Sequence, residues 1–177
     1  MDRNNTADLK SWFVMRTKPR NEFKVYDQIK SKEIEAYLPK IERLRIWSDR
    51  KKKIFVPLFP SYLFIYGNND ERLKAISNTI GAMGYLMYRK RPAVITEKEI
   101  ENIKISLIEP ERIKVEEIQI TKGDLVEITF GPFTGLTGII IEIRGSYKLV
   151  VNITELSASL NIELNASEVK LLSKVKS

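Results

Sequence analysis

The chain contains neither cysteine nor histidine. Without cysteine there is no disulfide framework, no thiolate nucleophile and no zinc ribbon. Without histidine the usual general base near neutral pH and the commonest metal ligand are both missing, so acid–base chemistry would fall to carboxylates, lysines and tyrosines. Asp49, Asp70 and Asp124 stand singly in capping, turn or charged contexts, whereas a magnesium nuclease needs convergent carboxylates. The expectation is a protein that is not an enzyme and holds no metal or cofactor. Long apolar runs are lacking too. The opening MDRNNTADLK has no signal-peptide core, and no later run reaches the length of a bilayer span, which predicts a cytoplasmic protein without a membrane partner.

What is present is an ordinary globular composition, 43% hydrophobic over 177 residues, enough for one domain or two small ones. Thirty Lys and Arg against twenty-three Asp and Glu give a net charge of +7. Such an excess fits an acidic protein surface or a nucleic-acid backbone, with solubility alone as the plainer reading.

Hydrophobic spacing divides the chain. Trp12 to Arg16 reads as a strand, and Pro19 suits the first turn of a helix whose Phe23, Tyr26 and Ile29 share one face. Ala36 to Pro39 reads as a short strand and Ile54 to Tyr66 as a buried central one, with the basic excursion Arg43 to Lys53 between them. Asn69-Asp70-Glu71 offers a cap for a second helix with Leu73, Ile76 and Ile80 on one side. Tyr85 to Tyr88 is the next strand. Thr96 and Glu99 form a capping box for a third helix that buries Ile100, Ile103 and Leu107. The alternation β-α-β-β-α-β-α predicts an α+β sandwich with helices covering a small, mostly antiparallel sheet.

After the charged stretch Glu109 to Glu117 only short strands follow: Leu125 to Ile128, Gly138 to Ile143, Lys148 to Val151, Leu160 to Leu164 and Val169 to Leu172. Closure into a barrel would protect the edges of so small an all-β unit. Its opening hairpin, GDLVEITFGPFTGLTGIIIEI, turns at Gly131-Pro132-Phe133, and Gly135 and Gly138 add further backbone freedom. Phe133 is expected at the turn tip, facing solvent or a partner.

The order of these pieces resembles the NusG family: a Trp12-Phe13-Val14 strand, a Lys18-Pro19-Arg20 helix start, the PLFPSYLF run at residues 57–64, and a KOW-like hairpin. The resemblance implies an N-terminal NGN α/β sandwich at residues 10–109 that rides on RNA polymerase, a linker at 110–120, and an SH3-like KOW β-barrel at 121–174 that docks another factor. A ribosomal protein is a candidate for that factor, and a monomer is expected. Residues 47–51 and 155–158 look closest to the specialised UpxY-type antiterminators of surface-polysaccharide operons, with RfaH more distant. General members usually carry Ile-Phe-Gly-Arg in the barrel, where this chain has Ile153-Thr154-Glu155-Leu156.

The resemblance places Phe59, Tyr85 and Tyr88 at the apolar patch that grips the polymerase clamp helices, and it implies the opposite gate of the polymerase as a second contact. Tyr62 joins them as an interface or a core ring, since aromatic anchors desolvate much area with few rotamers. Arg16, Lys18 and Arg20 cluster where the first strand meets the first helix and could neutralise phosphates of non-template DNA. Arg43, Arg45, Arg50, Lys51, Lys52 and Lys53 are placed by family likeness on a hairpin that meets upstream DNA or nascent RNA. A solvated tip is the alternative. Leading function is a non-catalytic antiterminator that suppresses pausing. The runner-up is a general NusG coupling polymerase to Rho or the ribosome, and a third reading is a KOW-type ribosome-bound or RNA-bound protein.

Overall fold

In the computed structural model, which describes residues 9–46, 51–117, 123–128, 133–143, 146–153, 156–164 and 172–174, the chain opens on strand β1 (Ser11–Thr17) and helix α1 (Glu22–Lys30). The helix begins after Pro19 rather than at it. Arg20 sits in the left-handed region (φ 64°), which no right-handed helix tolerates, so Pro19-Arg20 is a turn. There follow β2 (Glu35–Tyr37), β3 (Lys40–Ile46), β4 (Lys51–Pro57), β5 (Tyr62–Gly67), α2 (Asn69–Ile76), β6 (Ala82–Tyr85) and the short β7 (Met87–Tyr88), β8 (Arg91–Pro92) and β9 (Val94–Ile95).

Two expectations shift here. The single strand expected over 54–66 is two, β4 and β5, because Pro57 and Pro60 lack amide donors and Ser61 turns left-handed at φ 67° between them. Helix α2 is capped by Asn68 rather than Asn69: Asn68 Oδ1 accepts from the Glu71 amide at 2.9 Å, and the Glu71 carboxylate accepts from the Asn68 amide at 2.8 Å. Its buried residue is Ala75, whereas Leu73 is exposed and Ile80 lies beyond the helix end, also exposed.

The main sheet runs β2-β5-β1-β6, with β9 also on β1, and every pair is antiparallel. Period-2 alternation gives it two distinct faces. Met15, Leu63 and Ile65 point to the side that α1 and α2 cover and pack with Val25, Ile29 and Ala75. Trp12 and Val14, opposite Tyr66 and Phe64 in register, point to the other.

Compactness divides the chain between Thr96 and Glu97, so helix α3 (Glu97–Ser106) groups with the second unit rather than with the first. The expected linker at 110–120 is, in its described part, a 3-10 turn at Pro110–Arg112 and strand β10 (Ile113–Glu117), which pairs with a later strand. Strands β11 (Asp124–Ile128), β12 (Thr137–Ile143), β13 (Ser146–Ile153), β14 (Ala158–Leu164) and β15 (Leu172–Lys174) complete the order β10-β14-β13-β12-β11-β15, antiparallel throughout. Its interior is aliphatic, with Val126, Ile128, Leu149, Val151, Leu160 and Ile162 all buried. The chain thus has the expected class, an α+β unit followed by a small antiparallel β unit.

Candidate functional site

In β5 the rings fall at Tyr62, Phe64 and Tyr66, every second residue, and so project from the sheet face that the helices leave to others. There Trp12 meets Tyr66 at 5.1 Å between ring centres and Tyr37 edge-on at 6.5 Å; Tyr37 stacks on Phe64, and Phe59 meets Phe64 edge-on at 6.2 Å. Burial pushes the Tyr37 phenol up to about 12. Trp12, Tyr37 and Tyr66 join this cluster although the sequence did not single them out for it. The ring alternation in YLFIY was the signal for Tyr66, whereas Trp12 and Tyr37 come to it only through strand pairing.

The four rings expected to grip the polymerase do not converge on one patch. Phe59, placed by the resemblance on a surface patch, is only 4% exposed, its ring edge-on to Phe64. Tyr62 lies half-buried at the margin of the same face. Tyr85 points to the helix side: its hydroxyl donates to the Arg72 carbonyl at 2.6 Å, its ring lies 6.0 Å from Phe13, and the Arg72 guanidinium stands over both rings at 5.3 and 5.5 Å. Burial raises its phenol pKa, the Arg72 charge opposing in part. Only Tyr88, on β7, is largely exposed, beside the Arg89 guanidinium.

The basic trio does come together. Arg16, Lys18 and Arg20 are all exposed at the end of β1, and Arg16 stands opposite Tyr62 in register, so a cation and a ring share one face of the sheet. Beside them Pro19, Phe23, Pro57 and Pro60, with Arg20, Glu22 and Ser61, line an apolar cleft of about 320 Å³. Glu22 fixes its floor. That carboxylate is buried, and it accepts the Ser61 amide at 2.8 Å, tying the proline loop to the start of α1.

The basic excursion is a two-stranded hairpin of β3 and β4 whose register splits its charges. Directly opposed residues of an antiparallel pair share a face. Arg43 with Ile54 and Arg45 with Lys52 occupy one face; Glu42 with Phe55, Leu44 with Lys53 and Ile46 with Lys51 occupy the other. On that second face Lys53 bonds the Glu42 carboxylate at 2.9 Å and the Lys40 ammonium stands 5.0 Å from the Phe55 ring centre. Arg50 lies outside the described residues.

The turn of the second unit also differs from expectation. Gly131 and Pro132 lie outside the described residues. Phe133, expected at the tip, is 1% exposed beneath the Arg112 guanidinium, which stands 4.7 Å from its ring centre. An apolar ring within reach of a core is drawn inward whatever its place in the chain. Gly135 is a true turn residue at φ 87°, and its carbonyl accepts from Lys98 of α3 at 2.7 Å. Asn102 of α3 bonds Thr137 next to it. Gly138 lies in the strand expected from it to Ile143: it pairs with Val126, and a Cβ there would stand 2.6 Å from the Val150 carbonyl oxygen. No helix among the described residues is long and apolar enough to cross a membrane.

Fold and surfaces together define a two-unit protein whose first unit presents a ring and cations at the end of its central strands. A family model described as transcription termination factor nusG matches residues 10–104, more than half of the chain. The chain belongs to the NusG family. It is 26% identical over 179 residues to the transcription termination/antitermination protein NusG of Rickettsia bellii, covering 94% of this chain and 93% of the relative. The protein of the same name from Deinococcus radiodurans is 24% identical, with 89% and 97% covered. Among solved structures, one titled domain interaction in Thermotoga maritima NusG is 24% identical, covers 95% of this chain and 98% of that one, and superposes with a TM-score of 0.48.

Proposed function

We propose that this NusG-type transcription factor binds RNA polymerase through its first unit and suppresses pausing and premature termination, acting at a specialised surface-polysaccharide operon. The observation that carries the reading is that the family match, residues 10–104, takes in the described part of the first unit from residue 10 on, where Arg16 and Tyr62 share a sheet face beside Lys18 and Arg20. Rings at the margin of that face supply desolvated contact with the clamp helices, while the three cations hold the non-template strand by its phosphates. The factor works by preferring the closed clamp. A preference of about 1.4 kcal/mol changes the ratio of closed to open states tenfold.

Relatives named for both termination and antitermination favour a second reading, a general factor acting on many operons. Nascent-transcript sequencing with and without the gene separates the two: distal transcripts of one operon fall under the first, the whole transcriptome shifts under the second. Polymerase pulldown tests the shared premise. The double variant Tyr62→Ala and Tyr88→Ala is expected to lose at least tenfold in affinity. Full recovery of polymerase by that variant would remove these rings from the interface.

A further inference from the structure

The β3–β4 hairpin carries an exposed apolar surface that its reputation as a basic patch conceals. Leu44 is 56% exposed, Ile46 68% and Phe55 56%, and the register places all three on one face. Lys40, Lys51 and Lys53 share that face, while both arginines, Arg43 and Arg45, lie on the opposite one. Three large apolar side chains in one row of a short hairpin exceed the scattered single exposures that need no explanation.

We propose that the two faces take different partners: the arginine face meets nucleic acid, and the face of Leu44, Ile46 and Phe55 docks on an acidic protein surface with an apolar centre, carried by the polymerase itself. Charge complementarity and side-chain chemistry select this occupant. A nucleic-acid strand would engage the ring of Phe55, but Leu44 and Ile46 offer no π-face on which a base could stack. Apolar complement is what their desolvation requires. Lysines whose stems lie beside apolar side chains extend their ammonium groups outward, where carboxylates around the apolar centre would meet them. Glu42 is bonded to Lys53 and the Lys40 ammonium stands over the Phe55 ring, which leaves Lys51 as the cation on this face without a carboxylate partner at salt-bridge distance among the described residues. The hairpin thereby bridges protein and nucleic acid, which rests on the polymerase reading above.

The test uses the full chain against three probes: core RNA polymerase, a DNA-bubble and RNA scaffold without polymerase, and the chain itself in sedimentation. The variant Leu44→Ser with Ile46→Ser and Phe55→Ser is expected to lose at least tenfold in affinity for core polymerase while its scaffold affinity stays within twofold. Arg43→Ser with Lys52→Ser is expected to do the reverse, with a shallower salt dependence on the scaffold. Should the triple variant misfold, Ile46→Ser alone, at the most exposed of the three sites, carries the comparison with a smaller loss. An unchanged polymerase affinity overturns the inference, as does an equal loss on the bare scaffold, or a self-association that the triple variant abolishes. Failure of the wild-type chain to bind polymerase sinks the functional reading and this inference with it; wild-type binding with an unaffected triple variant sinks the inference alone.

Discussion

The two units treat aromatic side chains in opposite ways. In the first, Trp12, Tyr37, Phe64 and Tyr66 pack ring to ring from strand positions, while Tyr62 is half-buried and Tyr88 exposed. In the second, the one fully buried ring among the described residues is Phe133, capped by Arg112 within an aliphatic interior. Rings placed along strands leave amphipathic edges for a partner, whereas a ring drawn beneath a turn is a packing element. The largest break in the comparison is therefore Phe133→Ala. Removal of a fully buried phenylalanine should cost about 3–5 kcal/mol, confined to the second unit. Urea unfolding should show an early transition for that unit alone, with polymerase binding by the first unit retained; a cost below about 1 kcal/mol would mean the ring packs loosely.

A smaller effect sharpens the contrast through pH. Tyr37 and Tyr85, both in the first unit, have phenols raised by burial, Tyr37 to about 12. A phenol held neutral in the folded state keeps its proton while the unfolded chain begins to release it near pH 10. Stability is thus intact below about pH 10 and falls as pH climbs toward 12, by at most about 1.4 kcal/mol per pH unit for each phenol. Near-ultraviolet circular dichroism of the ring cluster should follow that loss, and Tyr37→Phe should flatten its slope. An alkaline profile identical in wild type and Tyr37→Phe would mean that Tyr37 titrates as a solvated phenol.

The fold was legible wherever local pattern and tertiary packing agree. The apolar run in WFVMR, the ring alternation in YLFIY, the acidic opening of α2 and the β-branched strands of the second unit each signal one element type, and the structure follows them. The misplacements share a cause. Phe59 and Phe133 sit in proline or glycine turns, so local sequence marks them as exposed, while burial is decided by what packs on each ring, Phe64 for one and Arg112 for the other. The side on which Tyr85 lies depends on the register of β6 against β1, with a bulge between Arg16 and Thr17, and no spacing rule within β6 encodes that. The basic trio of the site was legible because one short segment holds it. The division of the hairpin charges onto two faces was not, since it follows from the register of two paired strands, which neither strand encodes alone.

The hairpin stands between the two modes of burial, exposing both its apolar and its charged residues, and it supplies the smallest expected effect. Lys53 and Glu42 form a 2.9 Å pair in which both side chains are well exposed. Holding two long side chains in one geometry costs entropy, and water and salt screen the attraction, so such pairs contribute about 0–1 kcal/mol. Glu42→Gln should therefore shift the unfolding midpoint by an amount equivalent to less than about 0.5 kcal/mol, and raising the salt should erase even that. The same substitution releases Lys53 on the face of Leu44 and Phe55, so affinity for an acidic partner should rise while stability barely moves. A stability loss above about 1 kcal/mol would show instead that the pair holds the hairpin in register, and that this region is built for packing rather than for contact.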